Sequence, residues 1–414
     1  MNELKREDYV VTPISGPVNI ETKVPASKSI LARMMILGAL SYGKCVFDNA
    51  VLSKDTELMM EALRDLGFPI FYNESARQLR LQGRGGEIPA KEATIYVGSA
   101  GTAARFLTAM LALSDGTYTI NASEQMSKRP MADLLDALRS TGAEITCLEK
   151  EGYFPFVVKG KRPAKPVKIT VDASKSTQFA SGILLMMDVL PKGSECIITG
   201  ENRKSYIELT QNVIDSFSQK TKIEPDVSSA CYVYATPMVV GGSAMVKRIH
   251  LNSAQGDIRF IKYLEKFGAK LEDTEDGIIL SFDGNLKDQT EDLELDMSEF
   301  SDQTMTMAAL AVLRGGKTTI KNIGHIRRQE SDRIHSICLN MEKIGVKCEE
   351  GEDFITIYGG TPHAGKIECF GDHRIAMSFS LLGLVTEGIF VDEPLCVNKT
   401  FPDFWKFMAS LREA

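Results

Sequence analysis

Four short segments in the second half of the chain carry residue types suited to moving protons. "EFSDQTMT" holds Asp302, "RRQESDRI" holds Glu330, Asp332 and Arg333, "FGDHRIAM" holds Asp372, His373 and Arg374, and "NKTFPDFW" holds Lys399. Charged clusters are ordinarily solvated faces. Two of these, however, stand directly before long apolar runs ("MAALAVL" and "AMSFSLLGL"), which places them at the N-termini of helices bound for the core. Acids held there can have shifted pKa values and give or take protons. Two carboxylates among several Arg and Lys, with no Cys or His at metal-ligand spacing, describe acid–base chemistry on an anionic substrate.

The first half offers places for an anion. In "PASKSILAR" (25–33) Ser27 or Ser29 can cap a helix whose free N–H groups attract negative charge. Ser29 and Arg33 are four apart and share a face, so they can hold one polar ligand together, with Lys28 beside them. The plainer alternative is a serine cap flanked by two cations lying along apolar surface. "YVGSAGTAARFL" (96–107) reads as a strand, a Gly-rich turn and a helix carrying Arg105. Gly98 and Gly101 there permit close backbone approach, although the segment is neither a Walker A loop nor a dinucleotide fingerprint. "DASKSTQF" (172–179) gathers Ser174, Ser176, Thr177 and Gln178 before an apolar helix, an arrangement suited to a phosphate or to a plain cap. "ENRKSYIE" adds Arg203, Lys204 and Tyr206 as further polar reach.

The elements that must position these residues recur. "MEALRDLGFPIFY", "LDALRSTGAEITC", "IKYLEKFGAKLED" and "LNMEKIGVKCEEGEDFITI" each read as an amphipathic helix, a glycine at its end and an alternating strand. The spacing of these copies is nearly the same in the two halves, so the chain is expected to be α/β with one unit repeated. A change of composition at "TKIEPDVSSA" (221–230) marks the best internal boundary, and the interface between the halves is the natural place for a ligand.

At 414 residues the chain exceeds one ordinary core. A net charge of −7 argues against a nucleic-acid partner, because that surface needs a basic face. Its eight cysteines read as small buried hydrophobes rather than metal ligands. "MNELKREDYV" lacks the apolar stretch of a signal peptide, and no apolar run reaches the length of a membrane span, so a cytoplasmic protein without a membrane partner is expected.

Taken together, these segments resemble the 5-enolpyruvylshikimate-3-phosphate synthases, enolpyruvyl transferases also described as 3-phosphoshikimate 1-carboxyvinyltransferases. The resemblance runs along essentially the whole chain. It rests, in order, on "PASKSILAR", "GSAGTAAR", "MSKRPM", "SKSTQF", "SAQGDIRF", "SDQTMT", "ESDR", "GDHRIAMSFSLLGL" and "CVNKTFPDF". It implies two similar α/β domains, each of three βαβαββ repeats, in the inside-out α/β barrel of these transferases. Residues 1–22 plus 227–414 would form one domain and 23–226 the other, inserted in it, with the active site in the cleft between them. The implied reaction moves the enolpyruvyl group of phosphoenolpyruvate to the 5-hydroxyl of shikimate 3-phosphate and releases phosphate. A monomer using no cofactor and no metal, and closing on its substrates, is implied as well.

Residue by residue, the resemblance puts Lys28, Ser29, Arg33, Ser176, Thr177, Gln178, Arg203, Asp302, His325 and Gln329 on shikimate 3-phosphate. It puts Lys28, Gly101, Gln125, Gln178, Arg333, Arg374 and Lys399 on phosphoenolpyruvate. Asp302 would accept the proton of the 5-hydroxyl and Glu330 would donate one to the methylene carbon, with Lys28 shared between the substrates. Two departures stand out: Gln125 where an arginine for phosphoenolpyruvate is expected, and Gln329 in "QESDR" where a lysine is usual. Lys128 and Arg203 are the nearest replacements, and phosphoenolpyruvate binding weaker than is usual in the family is expected. Two alternatives are a transferase for UDP-N-acetylglucosamine and an impaired relative serving as a binding protein. The first typically carries a cysteine acid in the loop that here reads "SDGTYTINASEQMSKRP", where none occurs, and the second would not need Asp302 and Glu330.

Overall fold

The computed structural model describes residues 8–200 and 204–412. The chain folds as two compact units: one takes the segment up to Pro25 and everything from Pro225 onward, the other takes Ala26–Glu224.

One pattern builds both. In the first of these units, strand Leu293–Asp296 leads through helix Thr304–Val312 to the parallel strand Lys317–Lys321, then through helix Arg333–Lys343 to the antiparallel strands Cys348–Glu350 and Phe354–Tyr358. Across the sheet these strands stand in the order first, second, fourth, third. A parallel pair needs a crossover helix whereas an antiparallel pair closes by a short turn, and the result is βαβαββ. Ala26–Glu224 repeats the plan with strands Glu92–Tyr96, Gly116–Asn121, Glu144–Cys147 and Phe156–Gly160 around helices Gly101–Ala112 and Ala132–Arg139.

Two further four-stranded sheets take their leading strand from a distant part of the sequence. Strand Val18–Thr22 lies parallel to Gly242–Lys247, with Val18 opposite Gly242. Strand Lys220–Lys222 lies parallel to Tyr42–Asp48, with Lys220 opposite Val46. Each is the last strand before the chain passes to the other unit, so each closes a sheet of the unit being left. The third repeat is shorter in both: Lys168–Asp172 pairs with Glu195–Thr199, and Gly365–Ile367 pairs with Ile389–Val391, which also takes Tyr9–Val10.

Within a repeat the two helices differ in kind. The second is amphipathic, as in Lys54–Asp65 and Arg333–Lys343, and the glycines that follow these helices, Gly67, Gly142, Gly268 and Gly345, all have positive φ between 74° and 99°. The first is buried almost all round. Helix Lys28–Leu40 is covered from Ile30 to Leu40, and helices Gly101–Ala112, Val227–Val240, Thr304–Val312 and His373–Ser380 are covered along nearly their whole length. A helix with no solvent face presents polar groups to solvent mainly at its ends. Each buried Leu, Met or Phe contributes about 2 kcal/mol, so these cores hold their polar first turns in place. Among the described residues no helix is long and apolar enough to cross a membrane.

Candidate active site

In the unit that contains Pro225 onward, the N-terminal turns of three buried helices meet. Asp302 is the last residue but one of the short 3-10 turn Ser298–Gln303 before Thr304–Val312, Asp372 caps His373–Ser380, and Ser228 lies in the first turn of Val227–Val240. Arg374 ties Asp302 to Ser228, and Arg333, 1% exposed at the start of its own helix, ties Asp302 to Asp372. Its Nε donates to Asp372 Oδ2 at 2.8 Å, Nη1 to Asp302 Oδ1 at 3.0 Å and to Gln329 Oε1, and Nη2 to Glu330 Oε2 at 2.9 Å and Asp372 Oδ1 at 3.4 Å. Burial alone would weaken the charge of this guanidinium, but the carboxylates of Asp372, Glu330 and Asp302 outweigh it and raise its pKa.

The two carboxylates singled out in the sequence are thus bridged by one buried cation. Each also has a second cation: Arg374 Nη2 reaches Asp302 Oδ2 at 2.9 Å, and Lys399 Nζ reaches Glu330 Oε1 at 2.9 Å. Asp302 and Glu330 keep 19% and 15% of their side-chain surface exposed, enough for a reactant to touch them. Three acids and three bases make this cluster close to neutral. Among the described residues no group of His, Cys, Asp and Glu could hold a metal ion.

The other unit assembles a different set. Ser27, fully buried, caps helix Lys28–Leu40 by accepting from Ile30 N, which leaves Lys28 to pair with Asp55 Oδ2 at 3.1 Å. Asp55 sits in the first turn of Lys54–Asp65, where the helix dipole favours an acid. Arg33 bonds Ser29 O, Thr210 Oγ1 and Tyr206 O and stacks over Phe106, and its burial brings its pKa down to about 10. At the start of helix Gly101–Ala112 the backbone is hemmed in: a Cβ on Gly101 would lie 2.5 Å from Arg105 Nη1, 3.2 Å from Arg129 Nη1 and 3.4 Å from Gln178 Oε1. Ser176 caps helix Thr177–Leu184 by accepting from Gln178 N, and Gln178 Nε2 donates to Thr102 Oγ1 at 3.3 Å. Two buried guanidiniums, an amide and a helix N-terminus around one glycine make a place for an oxyanion.

The cluster in one unit can give and take protons and the cradle around Gly101 in the other can hold an oxyanion; comparison with known proteins gives the family. The family model described as EPSP synthase (3-phosphoshikimate 1-carboxyvinyltransferase) matches residues 12–222 and 216–408. The chain belongs to the EPSP synthase family. It is 33% identical over 417 residues to the 3-phosphoshikimate 1-carboxyvinyltransferase of Nostoc punctiforme, covering 95% of this chain and 97% of that one. It is 34% identical to the Escherichia coli protein of the same name, with 98% of each covered. The EPSP synthase structure from Acinetobacter baumannii shares the fold, with a TM-score of 0.79, 24% identity and 97% of both chains covered.

Against the pattern expected of an EPSP synthase, the structure changes three readings. The loss of a cation at Gln125 leaves no cation-free pocket, because Arg129, four residues on and 8% exposed, stands at Gly101 and Gln178. Lys128, the replacement suggested by proximity in sequence, is an exposed side chain paired with exposed Glu124 at 2.7 Å. Ser29 and Arg33 do not simply offer their side chains to one ligand from a shared face, since Arg33 turns back onto the Ser29 carbonyl. Gln329 meets Arg333, and His325 Nε2 lies 2.7 Å from Ser301 Oγ. Arg203, expected to supply the charge that Gln329 lacks, lies outside the described residues.

Sequence reasoning missed Arg129, Asp55 and the bridging role of Arg333. The first was legible as the arginine of "SKRPM", had the buried position before Pro130 been preferred to the exposed lysine.

Proposed function

We infer that this chain transfers the enolpyruvyl group of phosphoenolpyruvate to the 5-hydroxyl of shikimate 3-phosphate, giving 5-enolpyruvylshikimate 3-phosphate and phosphate. The observation that carries the chemistry is the pair Asp302 and Glu330 joined through Arg333. In the addition step, Glu330 gives a proton to the methylene carbon, the adjacent carbon becomes electrophilic, the 5-hydroxyl oxygen bonds to it, and Asp302 takes the hydroxyl proton. In the elimination step, the new methyl group returns a proton to Glu330, Asp302 passes the proton it took to the bridging oxygen of the phosphate, and the C–O bond breaks, releasing phosphate and restoring the double bond.

Glu330 is engaged as a carboxylate between Lys399 and Arg333, so it can act as a donor only when one of these cations turns to another anion. An arriving phosphoenolpyruvate supplies that anion, which couples substrate binding to protonation of the acid. We assign phosphoenolpyruvate to Lys28, Gly101, Arg105, Arg129, Gln178, Arg374 and Lys399, with Arg129 in the role expected at position 125. We assign shikimate 3-phosphate to Ser29, Ser176, Thr177 and Asp302, held from behind by Arg33 and Arg333. The reading requires the substrates to meet residues of both units. A monomer working in the cytoplasm completes the proposal, its mass to be checked by sedimentation.

Phosphate release measured with each substrate alone and with both is the test. Release that needs phosphoenolpyruvate and shikimate 3-phosphate together is expected. Release driven by UDP-N-acetylglucosamine instead, or by neither acceptor, would overturn the reading.

A further inference from the structure

Behind the acid–base cluster lies a carboxyl group that the reaction scheme does not use. Asp257 stands at the start of helix Ile258–Tyr263, is 5% exposed, and makes no side-chain cap to that helix, the ordinary task of an aspartate there. Its Oδ2 instead accepts from the Ser228 hydroxyl and, at 2.9 Å, from Gln303 Nε2. Both donors lead into the cluster. Ser228 Oγ also receives Arg374 Nη2 at 3.4 Å, and Gln303 is the chain neighbour of Asp302. Arg374 in turn donates to both the carboxylate and the carbonyl oxygen of Asp302.

We propose that Asp257 is a positioning residue for the transfer reaction, setting the guanidinium of Arg374 through Ser228 and the Asp302–Gln303 segment through Gln303. The proposal rests on the function inferred above. A hydroxyl has one proton to give. With that proton committed to Asp257, the oxygen of Ser228 turns its lone pairs to Arg374 and fixes the direction of the cation. The cation so fixed is the one that holds the proton acceptor, so its orientation governs both phosphoenolpyruvate binding and the geometry of proton removal.

The ionisation of Asp257 falls in an accessible range. Burial pushes its carboxyl up to about 6; Arg374 opposes the shift, nearby Asp302 adds to it, and the bonds from Ser228 and Gln303 oppose it. The other ionisable groups facing this region are Asp226, which caps helix Val227–Val240, and the buried thiol of Cys231, whose Sγ donates to Asp257 O at 3.6 Å. The Cys231 thiol is itself raised well above its ordinary value by burial and stays neutral. Above about pH 6 Asp257 is a carboxylate that orders Ser228 and Gln303; below it the protonated acid competes as a donor and loosens both.

Asparagine is close to an isostere of a protonated aspartic acid. In the full chain, Asp257→Asn is therefore expected to lower kcat/KM for phosphoenolpyruvate about tenfold at pH 7.5, the scale of one lost charge-assisted hydrogen bond. The KM for shikimate 3-phosphate should stay within about twofold, and variant and wild type should converge by pH 5. A deficit of the same size at every pH, or no deficit at pH 7.5, would overturn the proposal in favour of simple packing. A second readout does not depend on turnover. The native pKa exceeds the unfolded one, so relative to Asp257→Asn the wild type loses stability as pH rises from about 4 to about 6. Ser228→Ala removes a bond that favours the carboxylate and should move the midpoint of that loss upward. Melting curves of the three proteins that run parallel in pH would refute the coupling even if the chain proved inactive, while absence of wild-type turnover would refute only the function.

Discussion

The two units are built alike and charged differently. Both set buried helices in the core, and both put polar residues on the first turns of those helices, whose bodies have no solvent face. In Ala26–Glu224 the groups on these turns are mostly donors: Arg105, Arg129 and Gln178 around Gly101, and Lys28 on Asp55. In the other unit acids and bases alternate through Arg333, Asp302, Arg374, Asp372, Glu330 and Lys399. One scaffold thus carries two kinds of polar set. A donor set recognises an anion in ground and transition state alike and should govern KM. An alternating set moves protons during reaction and should govern kcat.

The largest effect expected from this contrast is at the proton acceptor. Asp302→Asn keeps the shape and one acceptor oxygen for Arg333 or Arg374 but removes the base, and kcat should fall by about 10² to 10⁴, the usual range for a positioned acid or base. The KM for phosphoenolpyruvate should move far less. A variant with near-normal kcat and a raised KM would erase the distinction between the units.

Next in size is Arg129→Ala. It withdraws a buried guanidinium from beside Gly101, and the KM for phosphoenolpyruvate should rise by about ten- to a hundredfold, as for loss of a charge-assisted bond to an oxyanion. A fall in kcat with unchanged KM would place Arg129 among the catalytic groups instead. Gly101→Ala should act in the same direction and by about tenfold. Its methyl group would come within 2.5 Å of Arg105 Nη1 and would crowd Arg129 and Gln178, so the oxyanion loses room and two donors lose alignment. Unaltered phosphoenolpyruvate titration in Gly101→Ala would show that the substrate does not enter this cradle.

The repeated unit and the polar first turns could be read from sequence because both are local: a 3.6-residue period, a terminal glycine and a cluster of Ser, Lys or Asp before an apolar run. The borrowed strands Val18–Thr22 and Lys220–Lys222 could not, since their partners lie more than a hundred residues away and nothing in a short strand names its neighbour. Side-chain commitments were hidden for a related reason. That Arg33 spends its donors on Ser29 O, Thr210 and Tyr206, and that Arg333 meets Asp302, Glu330, Asp372 and Gln329, depends on packing between elements distant in the chain. Nothing in "SAQGDIRF" distinguishes Asp257 from an aspartate that caps the helix after it, and only the structure shows its carboxylate bound to Ser228 and Gln303 instead.

The smallest expected effect tests the choice between neighbouring cations. Lys128 and Arg129 are adjacent in the chain and carry the same charge, but the turn that follows helix Glu124–Ser127 sends them to opposite environments. Lys128 keeps 74% of its side-chain surface in solvent, and its partner Glu124 is equally open, so water screens both charges and the pair contributes little. Lys128→Ala should therefore leave the KM for phosphoenolpyruvate and kcat within about twofold of the wild type, and raising the salt concentration should affect both proteins alike. Were Lys128→Ala to match Arg129→Ala, the exposed lysine would have to swing inward on substrate. The division between a donor-lined unit and a proton-moving unit would then depend on a side chain that is not held by the buried helix, and the explanation from helix burial would no longer cover this part of the site.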